Sequence, residues 1–271
     1  MCNTCRGGLS RRRFGQGLLG QGLLGQRLLA VSGVPGCPAA ADAIIDPRMR
    51  LALPADAPRT VALTLDACGG ASDMRIIGTL LDHAIPATIF VTGLWLAGNG
   101  PVLATLLARP DLFSLQNHGE RHLPPILGQR HIYGLPVAGS LDAIRHEVEA
   151  GGAAITARGA PRPTWYRGAT ALYSSEAMPV IEALGFRVAA YSLNADEGAS
   201  LPASAVMRRV QAAVSGDVII GHVNQPRRSS GEGLAAGITA LHQGGTRFVT
   251  LDAVPMSPLL CHPFRHGDTV A

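Results

Sequence analysis

Two histidines four residues apart, His118 and His122 in the stretch NHGERHLPP, are residues whose type and spacing suggest chemistry. That spacing lets both imidazoles face one side of a single helical turn, where they can share one ion. Pro124 and Pro125 limit such a helix to about one turn, so the pair would sit on a loop. In a chain with nine histidines the same spacing also fits two unconnected polar side chains. Asp66 follows the apolar run VALTL, so its carboxylate emerges where a strand stops. It reads as a general base or a metal ligand, or as a turn or N-cap aspartate. His222 closes GDVII in the same fashion, as a general acid or as a satisfied core histidine.

The elements that must position these groups alternate along the chain. Residues 60–66, 87–93, 112–117, 187–193, 216–222 and 246–252 are rich in Val, Ile, Leu, Phe and Thr and read as strands. Residues 72–83, 101–109, 140–157, 174–184, 202–214 and 232–243 carry helical spacing, and Ser72, Pro101, Ser140 and Pro202 sit where a first turn begins. Several strands are apolar without alternation, as parallel strands covered by helices are. The pattern predicts one domain, a parallel α/β barrel or a doubly wound sheet, with chemistry at the C-terminal strand ends. Asp66, Asn117, His118, Asn194, Asp196 and His222 all fall at such ends.

Composition narrows the function classes. Hydrophobic residues make up 47% of the chain and charged residues 15%, which predicts a substantial core. The formal charge of +4 comes from the N-terminus: the chain has no lysine, and Arg6, Arg11, Arg12, Arg13 and Arg27 precede the first carboxylate, Asp42. From there on 18 arginines face 19 carboxylates, so no basic excess points to nucleic acid. Residues 1–41 read as a twin-arginine-type signal peptide. SRRRFGQ precedes a moderately apolar stretch, and CPAAADA offers the small residues of a cleavage site. The GQGLL, GQGLL, GQRLL repeat is too rich in Gly, Gln and Arg to span a membrane. Export through the twin-arginine machinery to the periplasm or cell surface is the expectation, with residues 42–271 as the catalytic domain. A cut near Ala41 or Ala43 would leave only Cys68 and Cys261, either bridged or free.

Taken in order, LTLDACGG, NHGERHLP, WYRGATALY, YSLNADEG and GDVIIGHVN resemble the five motifs of the polysaccharide deacetylases, carbohydrate esterase family 4. The resemblance spans about residues 60–252. It implies a distorted (β/α) barrel of mostly parallel strands, a divalent metal, usually zinc, and removal of acetyl groups from N-acetylated sugars of a glycan. It also implies His118 and His122 as metal ligands, Asp66 as the base, His222 as the acid and Arg167 as the residue orienting Asp66. Trp165 and Tyr166, which flank Arg167, become candidates to stack on sugar rings. A backbone N–H near Tyr166 or Arg167 becomes the candidate to stabilise the oxyanion.

Two departures from the family pattern matter. Ala67 stands where the family has the aspartate that completes the metal site. Asp73 is the favoured substitute ligand and Cys68 a softer one; Asp66 could itself ligate, or the metal could be lost. Asn194 stands near the place of an aspartate expected to pair with Arg167, with Asp196 as a possible replacement. Alternative functions on the same fold are hydrolysis of a small amide or imide, and non-catalytic glycan binding without a metal.

Overall fold

The computed structural model describes Cys37 and residues 43–264. The twin-arginine stretch and the pentad repeats lie outside the described residues. The chain runs through β1 (Ile44–Arg48), β2 (Thr60–Ala67), α1 (Met74–Asp82), β3 (Ala87–Val91), α2 (Gly93–Gly98), α3 (Gly100–Leu107) and β4 (Phe113–Asn117). A small hairpin of β5 (His131–Ile132) and β6 (Leu135–Pro136) leads into α4 (Leu141–Ala157) and β7 (Trp165–Tyr166). Then follow β8 (Tyr173–Ser174), α5 (Ala177–Ala183), β9 (Arg187–Val188), β10 (Leu193–Asn194) and α6 (Ala203–Gln211). The last elements are β11 (Val218–His222), α7 (Ser230–Gln243), β12 (Arg247–Val249) and β13 (Leu260–Pro263).

The main sheet is parallel throughout, in the order β10-β11-β2-β3-β4-β7-β9, with β12 also on β2. It is a barrel left incomplete, with β10 and β9 as its two ends. β2 lies inside it, between β11 and β3, and is buried at every position, which is why its sequence shows no alternation of polarity. Geometry still alternates. Val61, Leu63, Leu65 and Ala67 join the core with residues of α1 and α7, whereas Ala62 packs with Phe90, Val218 and Ile220 in a second core. Asp66 has the parity of that second set.

The predicted strand at 187–193 divides into β9 and β10, which sit at opposite ends of the sheet. Residues 93–98, of which only Gly93 falls in a predicted strand, as its end, form α2, capped by the Thr92 hydroxyl on the Trp95 N–H.

β13 pairs antiparallel with β1, and Cys261 on β13 is disulfide-bonded to Cys37, 224 residues away in sequence. Cys261 is therefore not the partner of Cys68, which is free. A cross-link closing so long a loop restricts the unfolded chain, and Cys261→Ser is expected to cost about 2–5 kcal/mol of stability. The check is a thermal melt of variant and parent with and without reductant; equal midpoints in all four melts would refute it.

Candidate active site

The groups singled out above converge at the C-terminal ends of the parallel strands. Asp66 is the penultimate residue of β2 and lies in register with His222 at the end of β11. His118 follows β4, Arg167 follows β7, and Asp196 lies two residues beyond β10.

Asp66 is 4% exposed. Its Oδ1 accepts from Arg167 Nη1 at 2.8 Å, and its Oδ2 lies 3.7 Å from His118 Nε2. Burial alone would raise this carboxyl, but the charges of Arg167, His118 and His222 outweigh it and hold the pKa below the usual carboxylate value. Arg167 is fully buried, stacks 4.3 Å over the Phe90 ring and donates from Nη2 to the Ala190 carbonyl at 3.0 Å. A buried guanidinium with one carboxylate partner fixes that carboxylate in charge and direction.

His118 is held from behind. Its Nδ1 lies 2.6 Å from the Arg167 carbonyl oxygen. A carbonyl only accepts, so Nδ1 carries the proton and, in the neutral ring, the Nε2 lone pair faces Asp66 and Cys68. This is the outer-shell arrangement of metal-ligating histidines.

His122 reaches His118 by a different route from the helical turn predicted. Residues 118–125 form no helix; Gly119 (φ 87°) and His122 (φ 63°) turn the chain back through the left-handed region. The two rings then meet edge to face, centroids 4.9 Å apart. A left-handed non-glycine residue costs of order 1–3 kcal/mol and persists only where its surroundings impose it. Here they include Glu147 of α4, 2% exposed, whose Oε1 accepts from the N–H groups of Arg121 (2.9 Å) and Leu123 (3.2 Å). A side chain at Gly119 would collide with that same carboxylate, which explains glycine where the family pattern has a hydroxyl residue. Glu147 carries no motif; an acidic residue at a buried position of a helix was the available signal.

Cys68 stands in this group. Its Sγ is 3.5 Å from His118 Nε2, and the sulfur and ligand nitrogens of His118 and His122 lie within 4.8 Å of one another. Burial would raise the thiol, but the charge of His118 and hydrogen bonds with His118, His122 and His222 bring it well below its ordinary value. The sequence signal was parity: in extended chain, residue 68 projects to the same side as residue 66.

His222 is paired with Asp196. Its Nδ1 lies 2.9 Å from Asp196 Oδ1, and its backbone N–H donates to Oδ2 at 2.7 Å. Burial works against the imidazolium, yet Asp196 with Cys68 raises the pKa well above the ordinary histidine value. The aspartate sought for Arg167 thus serves the histidine instead, and Asn194 Oδ1 accepts the Glu197 N–H.

Other expected site residues stand elsewhere. Asp73, the favoured third ligand, is the N-cap of α1; Oδ1 accepts from Arg75 N and Nε, and Oδ2 accepts from Arg75 Nη2 at 2.6 Å. Its helix position and the neighbouring guanidinium take both oxygens, leaving it outside the histidine group. Tyr166 is fully buried in the core with Ile144 and Val148 of α4. Trp165 is 3% exposed, covered by Arg187 and bonded through Nε1 to Asp252. Neither ring is available to stack on a sugar. The Arg167 N–H, a candidate oxyanion donor, is taken by the Asn117 carbonyl.

Solved structures with this fold include the Bc1960 peptidoglycan N-acetylglucosamine deacetylase (TM-score 0.62, 18% identity, covering 77% of this chain and 91% of that one). A family 4 carbohydrate esterase from Streptomyces lividans matches with TM-score 0.56 and 18% identity over 71% of this chain and 92% of that one. A carbohydrate esterase family 4 pseudoenzyme from Bacillus anthracis matches with TM-score 0.59 and 19% identity over 72% of this chain. The match covers 65% of the pseudoenzyme's length. These likenesses show the fold, a distorted (β/α) barrel. No curated protein matches the sequence. The family model for polysaccharide deacetylases, hydrolases acting on carbon–nitrogen bonds, matches residues 54–189, which take in Asp66, Cys68, both histidines and Arg167. With half of its length covered by that match, the chain belongs to the polysaccharide deacetylase family.

Proposed function

We propose that the protein removes acetyl groups from N-acetylated sugars of a cell-wall or extracellular glycan. The observation that carries this reading is the register pair Asp66 and His222. Base and acid stand on adjacent strands, each held by its own buried partner, Arg167 and Asp196, and the base lies 3.7 Å from the His118 imidazole, whose ring meets that of His122. The family implies a divalent ion, and the donor chemistry fits one: His118 presents Nε2 because Nδ1 is bonded to a carbonyl, and His122 faces it. His118 and His122 would hold the ion. When bound, such an ion supplies a Lewis acid that polarises the acetamide carbonyl and acidifies water.

The chain's own groups complete the hydrolysis. Asp66, kept ionised by Arg167, accepts the proton of the water whose oxygen bonds to the carbonyl carbon. His222, kept protonated by Asp196, donates to the sugar nitrogen as the carbon–nitrogen bond breaks, giving acetate and a free amine. Export through the twin-arginine route is part of the proposal. The Cys37–Cys261 bridge supports an oxidising destination, and it supports a processing cut before Cys37 over one near Ala41.

The test is acetate release by the zinc-loaded protein from peptidoglycan, chitin oligomers and exopolysaccharide, beside its His118→Ala variant. Acetate from one glycan, with metal content and release both abolished in the variant, is the expected result. No release from any of them by a metal-loaded protein would reject the reading, and unchanged metal content in the variant would reject the ligand.

A further inference from the structure

Resting on that reading, we infer that Cys68 supplies the third metal ligand, so that this site is a thiolate–bis-imidazole centre where the family has a carboxylate. The neighbouring positions cannot supply it. Ala67 packs its methyl into the core shared with α1 and α7, and a methyl has no donor. Asp73 has both oxygens on Arg75. One oxygen of Asp66 is committed to Arg167. Among the described residues, Cys68, His118 and His122 are the group whose donor atoms lie within 4.8 Å of one another.

The sulfur is also held in place. The Cys68 carbonyl accepts from Thr92 Oγ1 at 2.7 Å, the Gly69 carbonyl from Asn224 Nδ2 at 2.6 Å and the Gly70 carbonyl from Asn99 Nδ2 at 2.8 Å. Three consecutive carbonyls are thus pinned, two by the residues at either end of α2 and one by Asn224 beyond β11. Gly70, at φ 79°, turns the chain away immediately afterwards. Opposite the sulfur, His118 Nε2 is oriented by the bond from Nδ1 to the Arg167 carbonyl. Both donors are preorganised, a condition of a working metal site.

The donor set determines the ion. One sulfur and two nitrogens suit zinc or cobalt and disfavour magnesium, calcium and manganese, which take oxygen ligands. Three protein ligands leave one position of a tetrahedral ion open, the form of catalytic zinc sites. Binding converts the thiol to thiolate and releases one proton to solvent. The centre is accordingly exposed to thiol oxidation, to which a carboxylate site is indifferent.

Cobalt is the probe. The full chain, stripped with a chelator, is titrated with Co(II) and followed in the near ultraviolet for sulfur-to-cobalt charge transfer. The expected result is a charge-transfer band saturating at one ion per chain. Cys68→Ser should lose the band and bind more weakly than the roughly 10–100-fold that loss of an outer-shell partner causes. Cys68→Asp should recover binding without the band and accept manganese, which also shows that position 68 tolerates substitution. Cobalt bound by the parent without the band, or equal affinity in Cys68→Ser, would overturn the thiolate ligand while leaving the two histidines in place. No cobalt binding by the parent would remove the metal-dependent reading with it. An acetyl adduct on Cys68 during turnover would make the thiol a nucleophile and likewise overturn the proposal.

Discussion

Asn in place of Asp66 is expected to lower acetate release about 10²–10⁴-fold, the contribution of a positioned general base. The amide keeps the size of the side chain and one acceptor for Arg167 but cannot take a proton. The same change carries a stability effect. Arg167 is fully buried, and its Nε has no partner among the described residues, so removal of the Asp66 charge leaves the guanidinium without compensation. Breaking such a pair from one side costs about 3–5 kcal/mol when no acceptor remains, and less here because the amide oxygen still accepts. Rate and stability are therefore read separately, by acetate release well below the melting temperature and by a thermal melt, with zinc content as the control. Near-parental turnover would rule out Asp66 as the base. The pH dependence has a defined sign. The folded carboxyl lies below its ordinary value, so its contribution to stability is complete above the unfolded pKa of about 3.9 and is lost as pH falls through the folded value. Asp66→Asn should remove that part of the acid sensitivity below about pH 4.

How far this arrangement could be read in the sequence depends on the range of the interaction. The apolar run that ends in Asp66 and the one that ends in His222 revealed both the strands and the side of the barrel on which chemistry collects, because burial on both faces is written directly in composition. Ser140, whose hydroxyl caps α4 through the Ala143 N–H, was legible for the same local reason. The two-residue strand β7 was not, since it is too short to show a period and exists only through β4 and β9 beside it, and the run at 187–193 gave no sign that it divides into β9 and β10. The His118–His122 spacing suggested a helix because four residues is a helical repeat. What joins the rings is a loop held by Glu147, a contact across some 25 residues that no local pattern encodes. Asp196 stood beside Asn194 as a possible partner of Arg167 on the family pattern alone; which cation it meets at the mouth of the barrel depends on β10 lying beside β11. Cys68 was visible as a residue, and its role emerged once Asp73 was found capping α1.

Asp196→Asn tests the other half of the chemistry. An asparagine can still meet His222, but it no longer selects the protonated Nδ1 or supplies the charge that favours the imidazolium. The comparable loss of a carboxylate behind a catalytic imidazole lowers turnover by about 10⁴-fold, and roughly 10²–10⁴-fold is expected here. The pH profile separates this role from a merely structural one. In the proposed reaction His222 acts in its protonated form, and Asp196 raises its pKa well above the ordinary value of about 6.5 against a burial that alone would lower it. In the parent, kcat should hold through neutral pH and fall only as pH rises through that raised value. In Asp196→Asn the burial is left unopposed by that charge, and the alkaline limb should move to lower pH. The stability contribution has the same sign, complete below the unfolded pKa and lost as pH rises through the folded one. A variant that loses yield or melting temperature while its alkaline limb stays in place would show Asp196 to be a strand-end brace, and would return the question of the acid to His222 alone.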